Sequence, residues 1–247
     1  MVLAFLFLAS LWAGAQNALA GGGSFVTLPA LILMGLDARS ANITSTIALF
    51  PGQLVAGYAG RGLVTDAPQL RFRWLLLISA AGSFVGALLL LATPSNLFDR
   101  MVPWLVLIAT CIFVWGSFRK KPLDAVSKLG PWSTAAFQFG IAIYGGYFGG
   151  GIGFLMMAVL TIGGMAVRNA GATKNALAAI INTAAFLIFI FAPGIHWLEA
   201  LVVSIGAMLG GLGGVWLLRR VPEKRLRLLI VAIGVLLTIG LFWRQYG

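Results

Sequence analysis

Residues 21–44 read GGGSFVTLPALILMGLDARSANIT, and residues 150–173 read GGIGFLMMAVLTIGGMAVRNAGAT. Set 129 positions apart, the two stretches share 8 of 24 residues: Gly21/Gly150, Gly22/Gly151, Phe25/Phe154, Leu31/Leu160, Gly35/Gly164, Arg39/Arg168, Ala41/Ala170 and Thr44/Thr173. The arginine and threonine pairs weigh most, because an apolar, glycine-rich background produces the others readily. A match at a fixed period is the mark of an internal repeat. In both copies a glycine cluster opens an apolar segment that is too short to span about 30 Å of hydrocarbon at about 1.5 Å per helical residue. Further on, Gly82-x-x-x-Gly86 resembles Gly210-x-x-x-Gly214 after a one-residue slip.

The surroundings of the repeat set its class. Of 247 residues 60% are hydrophobic and 9% charged, against about 25% charged in a soluble domain. That balance excludes both an ordinary soluble domain and a disordered chain. The apolar runs do not alternate with polar residues, as the strands of a membrane barrel would. The chain reads as an all-α polytopic membrane protein. One cysteine (Cys111) and one histidine (His196) leave no disulfide and no dense ligand set, so neither metal nor cofactor is expected. The net charge of +11 comes without the polar or aromatic surface of a nucleic-acid groove, and no nucleic-acid partner is expected.

Ten apolar segments can be drawn: 2–20, 24–35, 41–59, 72–92, 101–118, 131–148, 152–165, 174–192, 197–218 and 225–243. Eight are long enough to span a bilayer. Two, 24–35 and 152–165, are short or re-entrant. With loops numbered by the segment they follow, the odd loops and their edges carry 14 of the 17 basic residues, including Arg61, Arg71, Arg73, Arg119, Lys120, Lys121 and Lys128. The even loops and the C-terminus carry Arg39, Arg100 and Arg244. Basic residues collect in cytoplasmic loops, so the odd loops are placed in the cytoplasm and both termini outside a cytoplasmic membrane. Ala18-Leu19-Ala20 resembles a signal-peptidase site, but the basic residues expected ahead of it are missing. The stretch also has an internal counterpart, so it is expected to remain as the first helix.

The boundaries follow: a first half at 1–118, a basic linker at 119–130 and a second half at 131–247, together one membrane domain. Five segments per half is an odd number, so equivalent points fall on opposite faces of the membrane. Inverted repeats with interrupted helices are the signature of secondary transporters, whose site lies where the repeats meet.

The quoted residues also carry a resemblance. Gly21-Gly22-Gly23-Ser24-Phe25, Pro29, Gly35 and Ala41-Asn42-Ile43-Thr44-Ser45 resemble the TauE/SafE family of sulfite and organosulfur exporters. The second half repeats the pattern as Gly149-Gly150-Gly151-Ile152-Gly153-Phe154 and Ala170-Gly171-Ala172-Thr173. The resemblance covers nearly the whole chain. Asn42 stands where the family usually has glycine, and Ala158 where a proline equivalent to Pro29 is often seen. The resemblance implies export of a small anion: sulfite, a sulfonate or a related sulfur compound.

Physical chemistry supplies a candidate site. A helix that starts after a glycine run presents unpaired N–H groups and the positive end of its dipole, which together bind anions. The set expected to bind substrate is Gly21, Gly22, Gly23, Ser24 and Thr44 from the first half, with Gly150, Gly151, Gly153, Thr173 and Lys174 from the second. The glycines read alternatively as close helix packing, and the threonines as helix caps. Lys174, the only cation close to either motif, reads as an anion partner or as a cytoplasmic anchor. Asn42, Gln53 and Asn182 read as interhelical hydrogen bonds, and the remaining glycines as packing faces. Trp12, Trp74, Trp104, Trp132, Trp197 and Trp243 read as interfacial belt residues.

No acidic residue falls in mid-segment, which argues against a carboxylate proton relay. Export driven by the membrane potential, or weakly coupled exchange, is expected instead. Three other readings stand beside the carrier: an anion channel, a subunit of a membrane complex that transports nothing itself, and an intramembrane enzyme built on Ser83 and His196.

Overall fold

The computed structural model describes residues 2–20, 22–118, 130–218 and 223–246. Among them the regular elements are helices, beside one isolated bridge between Ala67 and Leu70. They run α1 Val2–Ala20, α2 Ser24–Leu33, α3 Ala38–Ala59, a 3-10 turn Arg61–Leu63, α4 Phe72–Ala92, α5 Ser95–Phe118, α6 Pro131–Tyr147, α7 Ile152–Ile162, α8 Val167–Phe189, α9 Trp197–Leu218 and α10 Glu223–Tyr246. Each of the ten apolar segments corresponds to one helix. Most of the linker, residues 119–129, lies outside the described residues. By length and composition alone, Phe72–Ala92 and Arg168–Phe189 are sufficient to cross a bilayer.

The largest departure from the sequence reading is the start of α8. Hydropathy places it at 174, whereas the helix begins at Val167. Its first two turns hold Arg168, Asn169, Thr173 and Lys174, polar residues that lower the local hydropathy without breaking the helix. α3 likewise begins at Ala38, where Asp37 caps it by accepting from the Ser40 N–H at 3.1 Å.

Burial is reversed relative to a soluble bundle. α4 buries Ser79, Gly82, Ser83 and Gly86 while Leu77 and Phe84 are more than half exposed. α9 buries Ala207 and exposes Leu201 and Leu212. Small residues inside and large apolar residues outside is the arrangement of helices packed in lipid. Of the tryptophans, Trp74, Trp104, Trp132, Trp197 and Trp243 are exposed. Trp12 departs from the belt reading: it lies mid-helix in α1 with its Nε1 buried.

The helix pairings recur five elements on. The most extensive contacts join α1 to α9 and α4 to α6. α3 packs on α8; α3 also meets α9, as α8 meets α4; α5 packs on α10. Glycines set the two large contacts. A Cβ added to Gly86 would strike the Ile143 carbonyl, and one added to Gly146 the Ser83 carbonyl. Between α1 and α9, Gly210 meets the Leu11 carbonyl and Gly14 the Ala207 carbonyl in the same way. By contact, then, Gly82 and Gly86 correspond to Gly206 and Gly210, one turn before the pair that the sequence match selects.

Candidate functional site

Two glycine turns build the site. Gly22 takes φ +89° and Gly151 φ +77°, a left-handed backbone that only glycine adopts without strain. Each turn reverses the chain into a short helix: α2 has 10 residues and α7 has 11, about 15 Å at about 1.5 Å each and half the hydrocarbon thickness. The first bond matches in both copies, Phe25 N–H to the Gly22 carbonyl at 3.0 Å and Phe154 N–H to the Gly151 carbonyl at 3.1 Å. So does the exit. Leu36 N–H reaches the Leu31 carbonyl at 3.3 Å across Gly35 (φ +97°), and Met165 N–H reaches the Leu160 carbonyl at 3.0 Å across Gly164 (φ +93°). Both are glycine-terminated C-caps, and each of these residues has its counterpart 129 positions away.

The two helix starts border one small cavity of about 20 Å³, room for about one water molecule. Three pairs of lining residues stand 129 apart: Ser24 with Gly153, Leu49 with Ala178, and Gln53 with Asn182. Gly22, Gly149 and Asn17 complete the hairpin side, and Lys174 and Asn175 come from α8. Asn17 ties the elements together: its Oδ1 accepts from Gln53 Nε2 at 3.1 Å and from the Gly23 N–H at 3.4 Å. With its acceptor engaged, the Asn17 amide has its NH₂ donors to present.

Lys174 breaks the symmetry. Its counterpart is Ser45, whose hydroxyl lies 2.6 Å from that of Thr27. Lys174 is 7% exposed, and no carboxylate pairs with it among the described residues. The acidic side chains in view are engaged elsewhere. Asp37 caps α3, Asp66 accepts from the Phe72 N–H at 2.7 Å, and Asp99 accepts from the Ala38 N–H at 3.1 Å. Glu199 lies 3.9 Å from His196. The lining therefore offers side-chain amides, the Ser24 hydroxyl, two helix starts and one cation, with no acidic side chain.

Of the residues expected in the site, Gly22, Ser24, Gly153 and Lys174 line this cavity. Gly23, Gly150 and Gly151 shape the turns behind it; a Cβ on Gly150 would fall 2.6 Å from the Phe148 ring. Gly21 lies outside the described residues. Thr44 and Thr173 stand apart from the cavity. The Thr44 hydroxyl accepts from the His196 N–H at 3.2 Å, and the Thr173 hydroxyl from the Thr65 N–H at 3.4 Å. Asn42 donates to the Tyr147 carbonyl at 3.0 Å, joining α3 to the end of α6 just before the second hairpin. Ser83 donates to the Ile181 carbonyl at 2.6 Å, under α6. Arg39 donates to the Leu91 carbonyl, while Arg168 is exposed.

Gln53 makes the interhelical bond expected of it, to Asn17, whereas Asn182 donates to the Ala178 carbonyl of its own helix at 2.8 Å; both, with Asn17, also line the cavity. The repeat held a signal for two of them, since 53 and 182 differ by 129.

Lipid-facing helices around a polar, cationic cavity made by two half-length helices define a multi-pass membrane transporter. The chain belongs to the TauE/SafE family: the family model described as "Sulfite exporter TauE/SafE" matches residues 6–241. The relatives include "Probable membrane transporter protein ORF9" of Sinorhizobium sp., 32% identical over 244 residues, 97% of this chain and 92% of the relative. A "Probable membrane transporter protein" of Haemophilus influenzae is 28% identical, covering 99% of this chain and 96% of the relative. "Probable membrane transporter protein YfcA" of Escherichia coli K12 is 26% identical, covering 100% and 92%. No solved structure matches the chain.

Proposed function

We propose that the protein is a secondary transporter that exports a small sulfur oxyanion, sulfite or a sulfonate, through the cavity between the hairpins. The observation that carries this reading is Lys174, a buried cation facing two helix starts with no carboxylate partner among the described residues. An unpaired buried charge is costly, and buried ionisable groups of membrane segments mark substrate pathways. A bound anion removes the cost by pairing with the ammonium and accepting from the helix-start N–H groups. The family's name and the relatives' names as transporters support the same reading.

In this account the halves 1–118 and 131–247 are inverted repeats of one membrane domain. Eight helices span, and α2 and α7 meet from opposite faces. The recurring helix pairings and the matched left-handed glycines support this. The bias of basic residues toward the odd loops supports cytoplasmic placement of those loops, with both termini outside. The small volume of the cavity favours a carrier working by alternating access over an open pore: a sulfite ion enters only when the hairpins part. Outward movement of an anion from a negative interior gains about 2.3 kcal/mol per charge per 100 mV.

Sulfite efflux from proteoliposomes, with potential and pH gradient set independently, tests the reading. Saturable efflux that follows the potential and is lost in Lys174→Gln is expected. Absence of sulfite flux from folded protein, or wild-type flux in Lys174→Gln, overturns it.

A further inference from the structure

Lys174 sits in a lining without a carboxylate, and its repeat counterpart, Ser45, is hydrogen-bonded to Thr27. Among the described residues the lining of this cavity thus carries one fixed positive charge. We propose that Lys174 is the transporter's fixed counter-charge, matched to a single monoanion. The loaded site crosses the closed state neutral, and the empty site crosses it carrying the lysine's charge. This rests on the anion-transport reading above and specifies which ion is carried and which half of the cycle the membrane potential acts on.

Two consequences follow from the geometry. Closing around Lys174 without an anion leaves an ammonium buried between helix starts that repel it, because both present positive dipole ends. Return of the empty carrier is therefore the slow step. When access switches, Lys174 changes the side of the membrane to which it opens, so its charge moves relative to the field. A negative interior pulls the empty, positive carrier back inward. The neutral loaded carrier moves in either direction without feeling the potential. Net export is electrogenic overall, but the voltage enters through the unloaded protein.

The test compares two fluxes in the same proteoliposomes. Vesicles hold ³⁵S-sulfite, buffered where bisulfite predominates, with the potential set by a potassium gradient and valinomycin. Efflux is measured into medium without sulfite (net export) and into medium with unlabelled sulfite (exchange). The expected result is exchange at least about tenfold faster than net export, the ratio set by ~1.4 kcal/mol. Net export accelerates with a negative interior and exchange does not. External sulfate, a dianion, fails to replace sulfite in exchange. Lys174→Arg keeps the split, and Lys174→Gln, without the counter-charge, carries neither flux. Equal rates for the two fluxes, or exchange as voltage-sensitive as net export, overturn the counter-charge proposal while leaving sulfite transport intact. No flux of either kind from the wild type overturns the transport reading beneath it. If Lys174→Gln does not fold, the wild-type comparison decides alone.

Discussion

Thr44 and Thr173, 129 residues apart, make the same bond on opposite halves. Each is fully buried, and each hydroxyl accepts a backbone N–H from the loop that leads into the other half's fourth helix: His196 for Thr44 at 3.2 Å, Thr65 for Thr173 at 3.4 Å. Neither reaches the cavity. Repetition of the sequence here preserves a hydrogen-bonded tie between α3 or α8 and a distant loop.

Those ties set the first prediction. Thr44→Val and Thr173→Val each leave a backbone N–H without its partner and should destabilise by about 1 kcal/mol. The sulfite KM of both variants should stay at the wild-type value. Thermal denaturation in detergent and initial efflux rates measure the two effects. A raised KM without loss of stability would return the threonines to the binding site.

Gln53 and Asn182 should behave in the opposite way. Both line the cavity at equivalent points of the repeat. Replacing either by leucine removes a polar group from the wall, and loss of one hydrogen bond of about 1 kcal/mol to the anion corresponds to a roughly fivefold rise in KM. Efflux measured against sulfite concentration checks this; unchanged KM in both variants would remove the amides from recognition.

Helix packing gives a third prediction, independent of transport. Gly86→Ala and Gly210→Ala each press a methyl into the backbone carbonyl of the facing helix. Overpacking of this kind costs about 1–3 kcal/mol. Gly171, also helical, has nothing within 4 Å of the added atom, so Gly171→Ala should stabilise by up to about 1 kcal/mol through helix propensity. Melting curves of the three variants decide; equal effects would deny the tight α4–α6 and α1–α9 contacts.

The sequence carried the architecture further than the site. Helix positions followed from hydropathy because α1, α4 and α9 are predominantly apolar along their length. The half-length helices were visible because Gly22, Gly35, Gly151 and Gly164 all take left-handed backbone that only glycine supplies freely. α8 was misplaced at its start because Arg168, Thr173 and Lys174 lower the hydropathy of its first two turns, although Thr173 and Lys174 are buried. That error left Lys174 reading as a loop anchor as readily as a ligand. Asn17 could not be found by pattern, since its place in the wall depends on how α1 lies against Gln53 and the first hairpin.

The stability of Lys174 variants bears on the site directly. Removing an unpaired buried charge while keeping the volume should stabilise the fold, because an uncompensated charge in the interior is costly. Lys174→Met is therefore expected to melt above the wild type while transporting no sulfite.

The most direct test of the central claim, that the two hairpins and Lys174 form one anion site, is the melting temperature of purified protein against sulfite concentration. Sulfite should give a saturable rise for the wild type, equivalent to about 2.7 kcal/mol at a hundred times Kd, and a flat response in Lys174→Met. An equal sulfite-dependent rise in both proteins would contradict it.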